Sequence, residues 1–420
     1  MEKSNNKNYA LEPVPDDMKR GWVSMFCVLV AIGVDLSSVI LGAELANSMP
    51  IDQAILSVVV GSFCSAVLYT ICSLVGSSTS LSTSMITKKV FGELGSKIFS
   101  VVIGISLLGW FGVQVGFFSQ NSEILLSHFN IMIDPKIISL VGGLLMMSTV
   151  IYGYKSMEKL SVYSVPFLLI LMFFTIYLAF SKNGMPAIDH DMKATMTFAQ
   201  GVSLSVSIII VGAIISPDIS RWAIDAKNCA LSSFWGILFG NSFMIIVSII
   251  LVKCMGTSEI MNIFITLGIA IPGMIILTLA QWTTNTSNIY SSSLSIATVL
   301  EKVPQNVLTI VLGIIATLLA VFGIYERFTD FLNLLGIIIA PVGGVYTAEY
   351  YIIKKEFKEF TENRVITTKP VVIRSIIAWV IGIAVTALST YGFMHLTSIA
   401  SLDGFLVGFV AQVILGKILK

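Results

Sequence analysis

The sequence predicts an all-α polytopic membrane protein of about twelve transmembrane helices, and three observations carry that expectation. Mean hydropathy is +0.90. Of 420 residues, 55% are hydrophobic and 12% charged, more apolar surface than one water-soluble core of this size can hide. Apolar runs near the roughly 20 residues that a helical crossing needs recur along the chain at about 22–46, 53–77, 98–127, 137–154, 160–181, 197–216, 230–253, 263–292, 306–325, 329–351, 371–395 and 400–417. With both termini cytoplasmic, 20 of the 25 Lys and Arg fall in inner segments and five in outer ones. That is the asymmetry of the positive-inside rule, which a missed or invented span would scramble. The expected location is the cell membrane.

Residues 1–21 are polar and read as a cytoplasmic tail. The run after them is too long, and lacks the cleavage pattern, for a removable signal peptide. Residues 22–351 form the expected transport core, in two five-helix halves, 22–181 and 197–351, of similar length and opposite starting side. Many secondary transporters use that inverted arrangement, with the first helix of each half interrupted near the midplane. A polar cytoplasmic loop, 352–370, separates the core from two C-terminal helices within 371–420.

Composition narrows the function classes. A net charge of +1 gives no reason to expect nucleic acid as a partner. The five cysteines lie in or beside apolar runs without metal-ligand spacing and read as small core residues. His128, His190 and His395 fall near outer ends, and no nucleophile–base pair or metal cluster appears at motif spacing, so an intramembrane enzyme is not expected.

The first span contains AIGVDLSSVILGAE, 31–44. Asp35 lies near its middle, where a carboxylate costs about 2.5–3.5 kcal/mol on the mildest insertion scale. Gly33, Ser37 and Ser38 around it suit an unwound stretch lining a cavity. Asp35 then binds solute or coupling ion, or braces a neighbouring helix. The sixth span, FAQGVSLSVSIIIVGAIISPDISRW, carries Ser203, Ser205 and Ser207 at alternate positions, which cannot share one helical face. Either the helix is broken there, or the hydroxyls bond back to their own backbone. PDISRWAIDAK then reads as an amphipathic surface element with Arg221 and Lys227 toward the headgroups.

The eighth span, LTLAQWTTNTSNIYSSSLS, sets Thr283, Thr284, Asn285, Ser287 and Asn288 at membrane depth. Adjacent hydroxyls beside bare carbonyls make a hard oxygen cage suited to a small cation such as sodium; hydrogen bonding between helices is the plainer alternative. In the third span, Trp110 and Gln114 share a helical face at i, i+4. The indole is a flat platform and the amide a hydrogen-bonding fork, together fitting a planar solute with polar edges. Gln120 and Asn121 carry no assigned role.

These residues resemble the nucleobase:cation symporters, specifically the cytosine permease (purine–cytosine permease) branch. The likeness runs from about residue 12 to the last helix through EPVPDDMKRGW, GWFGVQVGFF, PDISRWAIDAKN, WTTNTSNIYSSSL and PVGGVYTAEYY, in order. It implies a five-plus-five inverted-repeat fold with two additional C-terminal helices, alternating access, and uptake driven by a sodium ion or proton. It implies a cation site at Ala31, Val34, Ala280, Thr283 and Thr284, a stacking tryptophan at Trp110, and amides at Gln114 and Asn285. Three departures bear on substrate: Leu107 stands where cytosine carriers have Gln, Ile209 where they have an aromatic residue, and Asp35 where they lack an acid.

The expected function is therefore a secondary active symporter importing a nucleobase or related small nitrogen heterocycle, with Trp110, Gln114, Asn285, Asp35, Ser207 and Asn288 around the solute. Asp35 accepts from an amino group or titrates as the coupling proton site. The alternatives are a carrier of a non-nucleobase amine recognised through Asp35, or a channel or non-transporting receptor. No cofactor beyond the co-transported cation is expected.

Overall fold

The computed structural model describes residues 9, 12–152, 154–187, 192–354, 357 and 369–419; His190 and most of the 352–370 loop lie outside them. The chain is helical throughout, with one isolated bridge, Arg20 to Ala223, as the only β pairing among the described residues. In order the helices are α1 Trp22–Gly33, α2 Leu36–Ser48, α3 Ile51–Thr79, α4 Thr83–His128, α5 Pro135–Ser148, α6 Tyr154–Asn183, α7 Phe198–Ile214, α8 Pro217–Ser220, α9 Ala226–Met255, α10 Ile260–Thr266, α11 Ala270–Ala297, α12 Gln305–Val321, α13 Phe328–Ala348, α14 Ile373–Thr390 and α15 Ala400–Ile418.

Every expected span overlaps one of these helices. Seven are long and apolar enough to cross a bilayer, and α1 and α2 qualify as one span bent by 53°. The helices α5, α7 and α12 are apolar but shorter. The 28-residue α11 carries the polar cluster. Apolar side chains also cover the outside: Ile105, Ile170 and Val380 are all more than half exposed. In water that surface is a liability; in lipid it is the solvated face.

The packing forms two groups. In one, α1, α2 and α3 gather round α9, and α7 packs on α3; in the other, α5, α11 and α12 gather round α4. The second, third and fourth spans (α3, α4, α5) thus each pack on the span five places later (α9, α11, α12). The final pair, α14 and α15, packs on α13. A buried ion pair ties this pair to the core: Arg374 Nη2 lies 3.2 Å from Glu349 Oε2, and Gln412 Nε2 donates to the same oxygen at 2.9 Å.

In the sixth span the second alternative holds. No interruption falls among its serines: α7 is continuous through Ser203, Ser205 and Ser207, and Ser205 Oγ donates back to Gly201 O at 2.9 Å. The helix ends at Ile214, and after Ile215 and Ser216 the chain turns into the single turn of α8. Pro217 lacks an amide hydrogen and sits at the first position of α8, where none is needed.

The break between α1 and α2 is held by backbone contact. A Cβ on Gly33 would stand 2.6 Å from Asn241 N, and one on Gly240 would stand 2.9 Å from Val30 Cα. Only hydrogen atoms fit at this crossing of α1 and α9. Gly33→Ala is therefore expected to lower stability by about 1–3 kcal/mol and to displace α1 from α9, measured as a lower midpoint of thermal unfolding in detergent.

Candidate functional site

The backbone interruption at Val34 and Asp35 is the centre of the site. Val34 (φ −93°, ψ 81°) and Asp35 (φ −132°, ψ 173°) leave helical geometry, and Asp35 then caps α2. Its Oδ1 accepts from Ser38 N at 2.8 Å, while Ser38 Oγ donates to Gly33 O at 3.1 Å. The last carbonyl of α1 and an early amide of α2 are satisfied by the side chains of Ser38 and Asp35, as an unwound segment in lipid requires.

Gln114 clamps this turn from α4. Its Nε2 donates to Asp35 Oδ2 at 2.7 Å and to Ser37 Oγ at 3.0 Å. Both amide hydrogens are used in that fork. The side chain is fully buried and does not line the cavity beside it. Trp110, one turn earlier, does line it, with its ring edge-on to Phe331 at 5.9 Å between centroids.

The cavity lies between the two helix groups. Asp35 contributes from the break, Tyr69 from α3, Leu107 and Trp110 from α4, Ile209 and Gly212 from α7, and Thr284, Ser287, Asn288 and Ser291 from α11. The cavity volume is about 60 Å³, room for a few ordered waters at roughly 15 Å³ each. Asn285 stands behind this wall: its Nδ2 points to Phe111 O (3.4 Å) and Met146 Sδ (3.3 Å), and its Oδ1 accepts from Asn288 Nδ2 at 3.2 Å. Ser207 turns away altogether and meets Ser401 on α15 at 3.4 Å. Of the six expected solute-binding residues, the structure brings Asp35, Trp110 and Asn288 to the cavity, sets Gln114 and Asn285 one layer behind, and removes Ser207.

Next to the break is a cluster of oxygens. Thr284 Oγ1 is 3.2 Å from Ala31 O and 3.1 Å from Ala280 O. Thr283 Oγ1 lies 2.9 Å from Ala280 O and 3.0 Å from Leu279 O. Each hydroxyl has one hydrogen and faces two carbonyls, so the cluster has more acceptors than donors. Such a set suits a small hard cation. Thr284 bridges α11 to α1, whereas Thr283 bonds only within α11. Val34 ends the helix, with its amide bonded to Val30 O at 3.0 Å.

A second constellation lies beside α8, next to the cavity residues Ile219 and Ser291. Arg221, expected among headgroups, is fully buried. Its guanidinium donates to Tyr290 Oη at 2.7 Å, Tyr9 O at 2.6 Å and Asp218 O at 3.2 Å. Trp222 Nε1 donates to the same phenol oxygen at 3.1 Å, and the Trp222 ring stacks on Tyr154 at 4.4 Å. The N-terminal segment joins in: Arg20 N donates to Trp222 O, Ile224 N donates to Arg20 O, and the Arg20 guanidinium pairs with Glu158 at 2.8 Å. An arginine that finds several fixed oxygen acceptors in one place keeps its charge away from water, because each such bond is stronger than its neutral counterpart. Nothing in the spacing of PDISRWAIDAK signals acceptors contributed by Tyr290, nearly 70 residues away. Lys227 is exposed as expected.

Interrupted and closely packed helices, apolar on the outside, around a buried chamber that carries a few polar groups in a largely apolar wall define the class: a multi-pass membrane permease. A family profile described as "Permease for cytosine/purines, uracil, thiamine, allantoin" matches residues 13–411, and the chain belongs to that family. Cytosine permease of Escherichia coli (strain K12) is 29% identical over 387 residues, covering 91% of this chain and 89% of the relative. Among solved structures, the nucleobase-cation-symport-1 family transporter Mhp1, closed with bromovinylhydantoin bound, superposes with a TM-score of 0.82 at 16% identity, covering 96% of this chain and 93% of the other. The inward-facing conformation of Mhp1 gives 0.78 at 16% identity, covering 100% and 95%. A Na⁺-coupled sialic acid symporter gives 0.69 at 12% identity, covering 96% and 90%.

That the Arg221 constellation seals the chamber is testable without a ligand. Tyr290→Phe removes the acceptor shared by Arg221 and Trp222, a loss of about 1.5–3 kcal/mol for a bond to a charged group. In a background with the five native cysteines replaced, Ser291→Cys is expected to react with a maleimide applied from the face carrying the N-terminal segment roughly tenfold faster when Tyr290→Phe is added.

Proposed function

We propose that this permease is a secondary active symporter that imports a nucleobase or related small nitrogen heterocycle with a sodium ion, by alternating access between the two helix groups. The observation that carries the reading is the coincidence, at one helix break, of a flat indole, a carboxylate, an amide and an acceptor-rich oxygen cluster. Solute and cation would sit on either side of the same unwound residues, so each favours the geometry the other needs. Trp110 stacks on the ring, Asn288 bonds its edge directly, and Asn285 and Gln114 orient Asn288 and Asp35. Ala31 O, Ala280 O and Thr284 Oγ1 hold the cation, with Val34 and Thr283 completing the set as α1 adjusts.

The relatives support this assignment through what they carry: curated relatives are cytosine permeases, and one structural neighbour is Na⁺-coupled. The pairing of α3, α4 and α5 with the spans five places later supports two inverted halves, 22–181 and 197–351. The Arg221–Tyr290 seal then lies on the cytoplasmic side, with both termini, and closes the exit while solute enters from outside. Leu107 and Ile209 in the lining give a chamber more apolar than the cytosine-carrier pattern.

In proteoliposomes, uptake of labelled cytosine is expected to accumulate against its gradient under an inward sodium gradient and to stop when sodium and proton gradients are both removed. Trp110→Ala is expected to weaken solute binding roughly tenfold to a hundredfold, the worth of one stacked base. Thr284→Ala should raise the sodium concentration for half-maximal uptake about tenfold or more, while Thr284→Ser stays close to the parent. Accumulation without any ion gradient, or sodium dependence unaltered by Thr284→Ala, contradicts the reading.

A further inference from the structure

We propose that Asp35 makes the chamber select a small planar organic cation, such as a protonated amino-heterocycle, over a neutral ring of the same shape. The inference rests on the reading of this chamber as the solute site. Asp35 is 7% exposed and forms part of the cavity wall. Its two hydrogen-bonding neighbours, Ser38 N and Gln114 Nε2, are both neutral donors. None of the ion pairs among the described residues includes it.

Neutral donors orient a carboxylate without cancelling its charge. A carboxylate offers about four lone-pair sites, and these two bonds occupy two of them. Much of the surrounding wall is hydrocarbon, with Ile32, Leu107, Ile208, Ile209 and Ile215 among the lining residues. A charge held in such an enclosure is stabilised chiefly by an opposite charge with matching donors. The indole of Trp110 adds a second preference of the same sign, since an aromatic face attracts a cation more than a neutral ring.

Gln114 is a positioning residue in this scheme. Its two amide hydrogens are spent on Asp35 and Ser37, which fixes the carboxylate and leaves the amide oxygen without a protein partner. Gln114 therefore has no donor to offer a solute. What the break presents to a ligand is acceptors, and a ligand rich in N–H groups and carrying positive charge complements them.

The test compares two rings of nearly identical shape on the purified full-length protein in nanodiscs at neutral pH and fixed sodium. 4-Aminopyridine is a cation there, and 4-aminopyrimidine is neutral; cytosine serves as a neutral reference. Calorimetric titration is expected to give at least tenfold tighter binding of 4-aminopyridine. Asp35→Asn keeps an oxygen that can cap Ser38 N, and is expected to bring the affinities of the two rings to within about twofold of each other. Equal affinities in the parent, or a preference that survives Asp35→Asn, overturns the proposal. So does an Asp35→Asn variant that loses sodium affinity with the ratio of the two rings unchanged, because the carboxylate then serves the inorganic cation. Trp110-dependent cytosine binding without charge preference sinks this inference alone; no binding of any ring sinks the chamber reading with it.

Discussion

An interrupted backbone at membrane depth has to satisfy its own polar groups, because lipid supplies neither donors nor acceptors. At the break after Gly33 this is done by Ser38 Oγ on Gly33 O, by the Asp35 carboxylate on Ser38 N, and by Thr284 Oγ1 against Ala31 O. Three of these groups, Asp35, Ala31 O and Thr284, are also where a solute or ion would be held. The site is thus not added to a finished scaffold. Relieving the break and building the chamber are one set of bonds, and Gln114 couples them to the opposite helix group through Asp35 and Ser37.

That coupling gives the two helix groups a means to respond to one another. The α1–α2 turn is pressed on α9 through Gly33 and Gly240, and reaches α4 and α11 through hydrogen bonds beside apolar side-chain contacts. Close backbone packing holds one side; on the other, polar bonds that a ligand or cation can replace add to the apolar contact. At the far end, Arg221, Tyr290, Trp222 and Arg20 form a seal of charge-assisted bonds and one stacked ring pair. Opening it costs several such bonds at once, about 1.5–3 kcal/mol each, which suits a barrier crossed only when the occupied chamber shifts the balance.

The fold was readable in the sequence because membrane depth imposes length and hydropathy that short connections do not obscure. Asp35 stood out for the same reason: an acid in an apolar run is expensive and needs a cause. Trp110 and Thr284 followed from helical spacing and adjacent hydroxyls. What escaped was direction. Gln114 and Trp110 share a face, yet one turn of rise carries the amide past the chamber to the break. Ser207 lies on the wrong side of a helix whose interruption comes at Ile215, after its serines. Tyr69 entered the wall from a span with no charge or amide at its middle, and Arg221 was hidden by acceptors distant in sequence.

The most direct measurement of the central claim is an experimental structure with sodium and a bound heterocycle. The expected result is flat ring density against Trp110 within hydrogen-bonding reach of Asp35 and Asn288, and an ion about 2.4 Å, a typical hard-cation distance, from Ala31 O and Thr284 Oγ1. A straight first helix through residues 33–35, or a solute bound away from Trp110, contradicts it.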